Sequence, residues 1–161
     1  MFVRIVAVGR MKSGPERDLV ERYIDRFRNS GRPLGITGAD IVEVPDSRAA
    51  SPGERRHQEG ERILAALDKS DIWTLLDERG KSSSSTDFAS RLRGLTERGT
   101  GRCAFVIGGA DGVSDRLRTE APATLCFGTM TWPHQLVRIL LCEQLYRSAT
   151  ILTDHPYHRG G

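Results

Sequence analysis

Hydrophobic positions along this chain fall into short runs rich in β-branched residues, separated by longer stretches where apolar residues recur every three or four positions. That alternation predicts an α/β fold, a mostly parallel sheet flanked by helices. Residues 2–8, rich in Val and Ile, form the first strand. Ser13-Gly14-Pro15-Glu16 combines a capping-box spacing with Pro in the first turn, so a helix starts there. Leu19, Tyr23, Ile24 and Phe27 keep the spacing of its buried face, and Arg17, Glu21, Arg22, Arg26 and Arg28 cover the other. A turn over 29–38 leads to a strand at 40–44. A second box, Ser51 to Glu54, opens a helix whose apolar residues, Ile63, Leu64 and Leu67, come only in its last turns. Its first half, from Glu54 to Glu59, is polar all round and must leave the core or meet a polar partner. Gly60 inside it costs about 1 kcal/mol relative to Ala, which points to close packing or a kink.

The second half continues the alternation. A strand over 71–77 precedes a Gly- and Ser-rich loop at 80–85 and a helix marked by Phe88, Leu92 and Leu95. Residues 103–107 are continuously apolar, as in a strand buried on both faces, and run into Gly108-Gly109-Ala110-Asp111-Gly112. A short helix from Ser114 and a short strand over 124–127 follow. Pro133 begins a last helix with Leu136, Val137, Leu140, Leu141 and Leu145 as its apolar face, and 150–153 is β-like. No internal repeat or boundary divides residues 1–161, which read as one domain.

Composition narrows the class. With 161 residues, 38% hydrophobic and 28% charged, the chain resembles an ordinary soluble globular protein. No apolar run approaches the ~18 residues that span a bilayer, and the opening reads as a strand rather than an export signal. Cys103, Cys126 and Cys142 are odd in number and widely spaced. That argues against a disulfide framework or zinc site and fits a cytoplasmic protein, with Cys103 and Cys126 expected in core strands. The net charge is +3, and 21 of the 24 basic residues are Arg. Arg forks match phosphate and stack on bases, although a bias of the source organism accounts for the count equally well.

Ligands of open parallel sheets bind outside the carboxyl ends of the strands, here the loops after Leu76, Ile107 and Phe127. Gly108-Gly109 permits close backbone approach to a ligand but also makes a tight strand-to-helix turn. The spacing is not that of the dinucleotide fingerprint, which counts against an NAD enzyme. Thr129-Met130-Thr131-Trp132-Pro133-His134 packs an aromatic, a Pro and a His into a helix entrance. Arg138, Glu143 and Arg147 follow in an otherwise apolar helix, and Glu143 with Arg147 has ion-pair spacing, worth a few tenths of a kcal/mol on a surface. The tail, Asp154-His155-Pro156-Tyr157-His158-Arg159, holds groups that stack on bases and contact phosphate. His155 and His158 lack a third ligand nearby, so no metal is expected.

Taken together, Phe105 to Gly112, Met130 to Arg138, Glu143 to Arg147 and Pro156-Tyr157-His158 resemble the bacterial 23S rRNA pseudouridine N3-methyltransferases, the large-subunit methyltransferase H family of the SPOUT class. The resemblance covers the whole chain. It implies a SPOUT fold with a C-terminal trefoil knot, a homodimer, S-adenosyl-L-methionine (SAM) as cofactor, and methylation of a pseudouridine in helix 69 of 23S rRNA on the assembled ribosome. Carried over by motif, the SAM-contacting positions are Leu76, Gly108, Phe127, Gly128, Thr129, Met130, Thr131 and Trp132. The chain departs from the family pattern at Gly128, usually Ser, at Ser148, usually Ala, and at Thr86, near which the family has Glu.

For methyl transfer to a ring nitrogen, orientation and loss of a weakly acidic proton are the demands on the protein. The expected catalytic groups are Tyr157 and His158, holding or deprotonating the base from the opposite subunit, and Arg138, steadying developing charge. Arg147 and Arg159 are expected on RNA phosphate. Water or a ribosomal group serves equally well as proton acceptor. Two rival readings stay open: a SPOUT enzyme acting on tRNA, and a ribosome-binding factor that kept the fold without the chemistry.

Overall fold

The structure, a computed structural model, describes residues 1–69 and 71–157; His158 and Arg159 lie outside the described residues. In chain order the elements are β1 (Phe2–Val8), α1 (Pro15–Gly31), β2 (Gly38–Val44), α2 (Pro52–Ala66), β3 (Ile72–Leu76), α3 (Ser85–Glu97), β4 (Arg102–Ile107), α4 (Asp115–Glu120), β5 (Thr124–Leu125) and α5 (His134–Leu152). The five strands form one sheet in the order β2-β1-β4-β3-β5, and every pairing is parallel.

Strand periodicity sends alternate side chains to opposite faces, and both faces are covered. Val3, Ile5 and Ala7 of β1 join Cys103, Phe105 and Ile107 of β4 against α1, α3 and α5. Val6, Val8, Leu75 and Val106 point the other way, onto Ile63 of α2 and Leu117 of α4. Helices on both faces explain why β1 and β4 are apolar at nearly every position.

Several boundaries differ from the sequence expectation for physical reasons. The first box is not formed: α1 begins at Pro15, so Gly14 rather than Ser13 is its capping residue, with no side-chain cap. The second box is half formed, since Ser51 accepts from the Glu54 N–H. The β-like residues 150–153 close α5 instead. The hydroxyls of Thr150 and Thr153 donate to the carbonyls of Arg147 and Ala149 at 2.7 and 2.8 Å, which lets β-branched residues finish a helix. Within α5, Leu141 and Leu145 are buried while Leu136 is 40% exposed, so the expected apolar face is split between the core and the surface. Cys103 packs in the core as expected, but Cys126 is only half-buried.

The polar first half of α2 meets a polar partner. Gln58 accepts from the Ser47 hydroxyl, Glu59 accepts from the Ser47 N–H, and Arg55 donates to Asp111. Gly60 is there for close packing: a Cβ at that position would lie 2.7 Å from Ser114 Oγ, the cap of α4.

Candidate functional site: a cleft at the strand ends

Parallel strands leave all their carboxyl ends on one edge of the sheet, and β3, β4 and β5 end side by side. Their exit loops enclose a cleft of about 900 Å3, at the upper end of the range for small-molecule sites. One wall is Leu76 and Asp77, a second is Gly108 and Gly109, and a third is Phe127, Gly128, Met130, Thr131 and Trp132. Seven of the eight positions expected to contact a cofactor line this cleft. Thr129, the eighth, is exposed in the same loop without forming the wall.

Each loop is held by the chain's own polar groups. After β3, Asp77 accepts from the Arg79 N–H through Oδ1 and from Arg118 Nε through Oδ2, both at 2.8 Å. After β4, the Gly112 N–H donates to the Gly109 carbonyl at 3.0 Å. The glycine pair therefore makes a tight turn and also lines the cleft. After β5, the Cys126 N–H donates to Lys81 at 3.0 Å, tying this loop to the one that leaves β3. Asp111, in the glycine turn, is held below the usual carboxylate range, chiefly by its hydrogen bond from Arg55. His134, singled out at the helix entrance, also lines the cleft, whereas the pairing of Asp77 with Arg118 there is not legible in the sequence. Asp77 and Arg118 stand 41 residues apart, and nothing local marks them as partners.

Of the expected catalytic groups within the described residues, Arg138 and Tyr157 do not line the cleft. Arg138 is 1% exposed and does not line the cleft. Its guanidinium donates to Glu43 and to the carbonyls of Gly9 and Val8, at 2.9 and 3.2 Å, where β1 ends. Tyr157 folds back on the flank of α5. Its ring centroid lies 4.6 Å from that of Tyr146, Arg147 stacks over it at 5.2 Å, and its hydroxyl donates to Glu143 at 3.1 Å. Burial first, then Tyr23 and Glu143, push the phenol above its ordinary range, so it is a donor through neutral pH. Arg147 pairs with Glu143 at 2.8 Å, as its spacing predicts. His158 and Arg159 fall outside the described residues. Among the described residues no group of three or more His, Cys, Asp or Glu is placed to hold a metal, and no helix is long and apolar enough to cross a membrane.

Met130 at 70% exposure and Trp132 and Leu136 at 40% form an apolar rim beside the cleft. Single exposed apolar residues are ordinary, but a cluster of large ones next to a pocket marks a contact surface.

Comparison with known proteins agrees with this architecture. A Brucella anthropi protein named Ribosomal RNA large subunit methyltransferase H is 51% identical over 159 residues, covering 99% of both chains. A protein of the same name from Bradyrhizobium diazoefficiens is 50% identical over 159 residues, with the same coverage. Among solved structures, a probable methylase family protein from Haemophilus influenzae Rd KW20 superposes with a TM-score of 0.53 at 14% identity, over 96% of this chain and 69% of that one, a likeness of fold. The model described as predicted SPOUT methyltransferase matches residues 1–158, and with relatives this similar over their whole length the chain belongs to the SPOUT methyltransferase family.

Proposed function

We propose that this chain is a SAM-dependent methyltransferase of large-subunit ribosomal RNA, working in the cytoplasm on N3 of a pseudouridine in helix 69 of the assembled ribosome. The observation that carries the reading is the convergence of three strand-end loops on one cleft, at the positions the family motif singles out. The residues present fit SAM: glycine backbone on one wall lets a ligand approach closely, and Phe127, Met130 and Trp132 on another offer apolar surface to a nucleoside. Leu76, Gly108 and the 127–132 loop, Thr129 included, would hold it. SAM supplies a methyl group on a cationic sulfur. The protein orients the acceptor nitrogen and disposes of its proton.

The tail belongs to that second task. Val137 lines the cleft and Glu143, which anchors Tyr157, stands six residues further along α5, about 9 Å along the helix axis. Tyr157 therefore lies away from its own cleft, which supports a role for it at the cleft of a second copy. We read the protein as a homodimer joined over the apolar rim, with a trefoil-knotted C-terminal part. In it the tail of one copy, Tyr157 with His158 and Arg159, serves the substrate bound to the other. Tyr157 helps to hold the base, Arg147 and Arg159 meet phosphate, and Arg138 acts through the β1 end rather than on the base.

The test is methyl transfer from labelled SAM to ribosomes and to free tRNA, followed by mass mapping of the modified nucleotide. Label confined to one pseudouridine of 23S rRNA supports the reading. Label in tRNA, or none in either, rejects it. Removing residues 157–161 should abolish methylation and leave SAM affinity nearly unchanged by calorimetry; a truncated chain with full turnover rejects the role of the tail.

A further inference from the structure

Glu59 stands out among the acidic residues around the cleft. Asp77, Asp111 and Asp115 are each paired with an Arg. Glu59 is 5% exposed, its Oε1 accepts only the Ser47 N–H at 2.9 Å, and its fully buried Oε2 has no hydrogen-bond partner. Arg55, one turn earlier on α2, spends its guanidinium on Asp111 and on the carbonyls of Ala49 and Ala50. Arg55 therefore meets Glu59 only through space, and a buried carboxylate with no cation hydrogen-bonded to it is costly to keep.

What it faces is the cleft wall. A Cβ built on Gly109 would lie 2.5 Å from Glu59 Oε2 and 3.1 Å from Cδ. Any side chain at that position would displace the carboxylate, so glycine brings it against the backbone of the wall. Gly109 also lines the cleft. The carboxylate thus stands directly behind the Gly109 backbone that forms the cleft wall.

We propose that Glu59 is a specificity-determining residue of the cofactor site: its charge, set behind Gly109, favours the cationic sulfonium of SAM over the neutral thioether of S-adenosylhomocysteine, the spent cofactor. The inference rests on the reading of the cleft as the SAM site. At a separation of one peptide plus a van der Waals contact, with the effective dielectric of protein interiors, one such charge shifts binding by roughly tenfold. Loss of that attraction once the methyl has left helps the spent cofactor to exchange for a fresh one.

Glu59→Gln keeps the shape and the acceptor for Ser47 and removes the charge. Calorimetry on the full-length protein with SAM and with S-adenosylhomocysteine gives the ratio of the two affinities. The substitution is expected to lower the preference for SAM roughly tenfold with S-adenosylhomocysteine affinity little changed, and Glu59→Asp, which retains charge, should restore most of it. Equal weakening of both ligands in Glu59→Gln means that Glu59 only supports the loop, and overturns the proposal while leaving the cleft assignment intact. A wild-type chain that binds neither ligand overturns both. Should Glu59→Gln fail to fold, the wild type decides: an analogue with an amine in place of the sulfonium must bind roughly tenfold tighter than the thioether, and equal affinities overturn the proposal.

Discussion

At the scale of single residues, Arg138 separates sequence pattern from tertiary role. One Arg in the run from Leu136 to Leu145 reads from sequence as a cation offered to substrate. Burial to 1% exposure and three acceptors around the end of β1 make it a brace between α5, β1 and Glu43. Arg138→Ala should therefore cost about 3 kcal/mol of stability, seen as a lower urea midpoint with an unchanged slope; a loss of activity with unaltered stability would instead place it in the chemistry. The cysteines give a second residue-scale test. Burial pushes the thiols of Cys103 and Cys142 up to about 12, while half-buried Cys126 lines the cleft. Since the thiolate is the reactive form, a thiol reagent should label Cys126 alone in the folded protein, more slowly with SAM present. Labelling at an unchanged rate under saturating SAM would argue that the ligand sits elsewhere.

Elements show how far local pattern carries. The strand β1 was legible to the residue, because its run, β-branched at Val3, Ile5, Val6 and Val8, is interrupted by a charge only at Arg4. The helix α2 was legible as a puzzle: its polar half had to find partners, and these are Ser47 just ahead of the helix and Asp111 in the glycine turn after β4, 56 residues beyond Arg55. The helix α5 was legible only in part. It is apolar nearly all round, so periodicity could not say which side faces the core. Packing against α1 and α3 buries Leu141 completely and leaves Leu136 outside. Leu141→Ala should cost about 2–5 kcal/mol, measurable by denaturant unfolding, whereas Leu136→Ala should leave the stability of an isolated protomer nearly unchanged.

For the whole molecule, the proposed homodimer would use the exposed Met130, Trp132 and Leu136 and the Tyr157 docked away from its own cleft. Leu136→Glu is expected to convert the protein from dimer to monomer in sedimentation velocity and to abolish methylation; a variant that stays dimeric places the interface on another face. The sequence by itself determined the α/β alternation, the parallel sheet and the three loops at the strand ends, because these follow from local periodicity and from the geometry of parallel strands. It also carried the motif that points to the cofactor positions, seven of which meet in one cleft. Tertiary structure alone decided which charges are paired and which are left alone: Asp77 with Arg118, Arg138 with Glu43, and Glu59 with nothing but one N–H. These partners are joined across 12 to 95 residues of chain, and no local pattern encodes a contact that exists only once the sheet has brought its strand ends together.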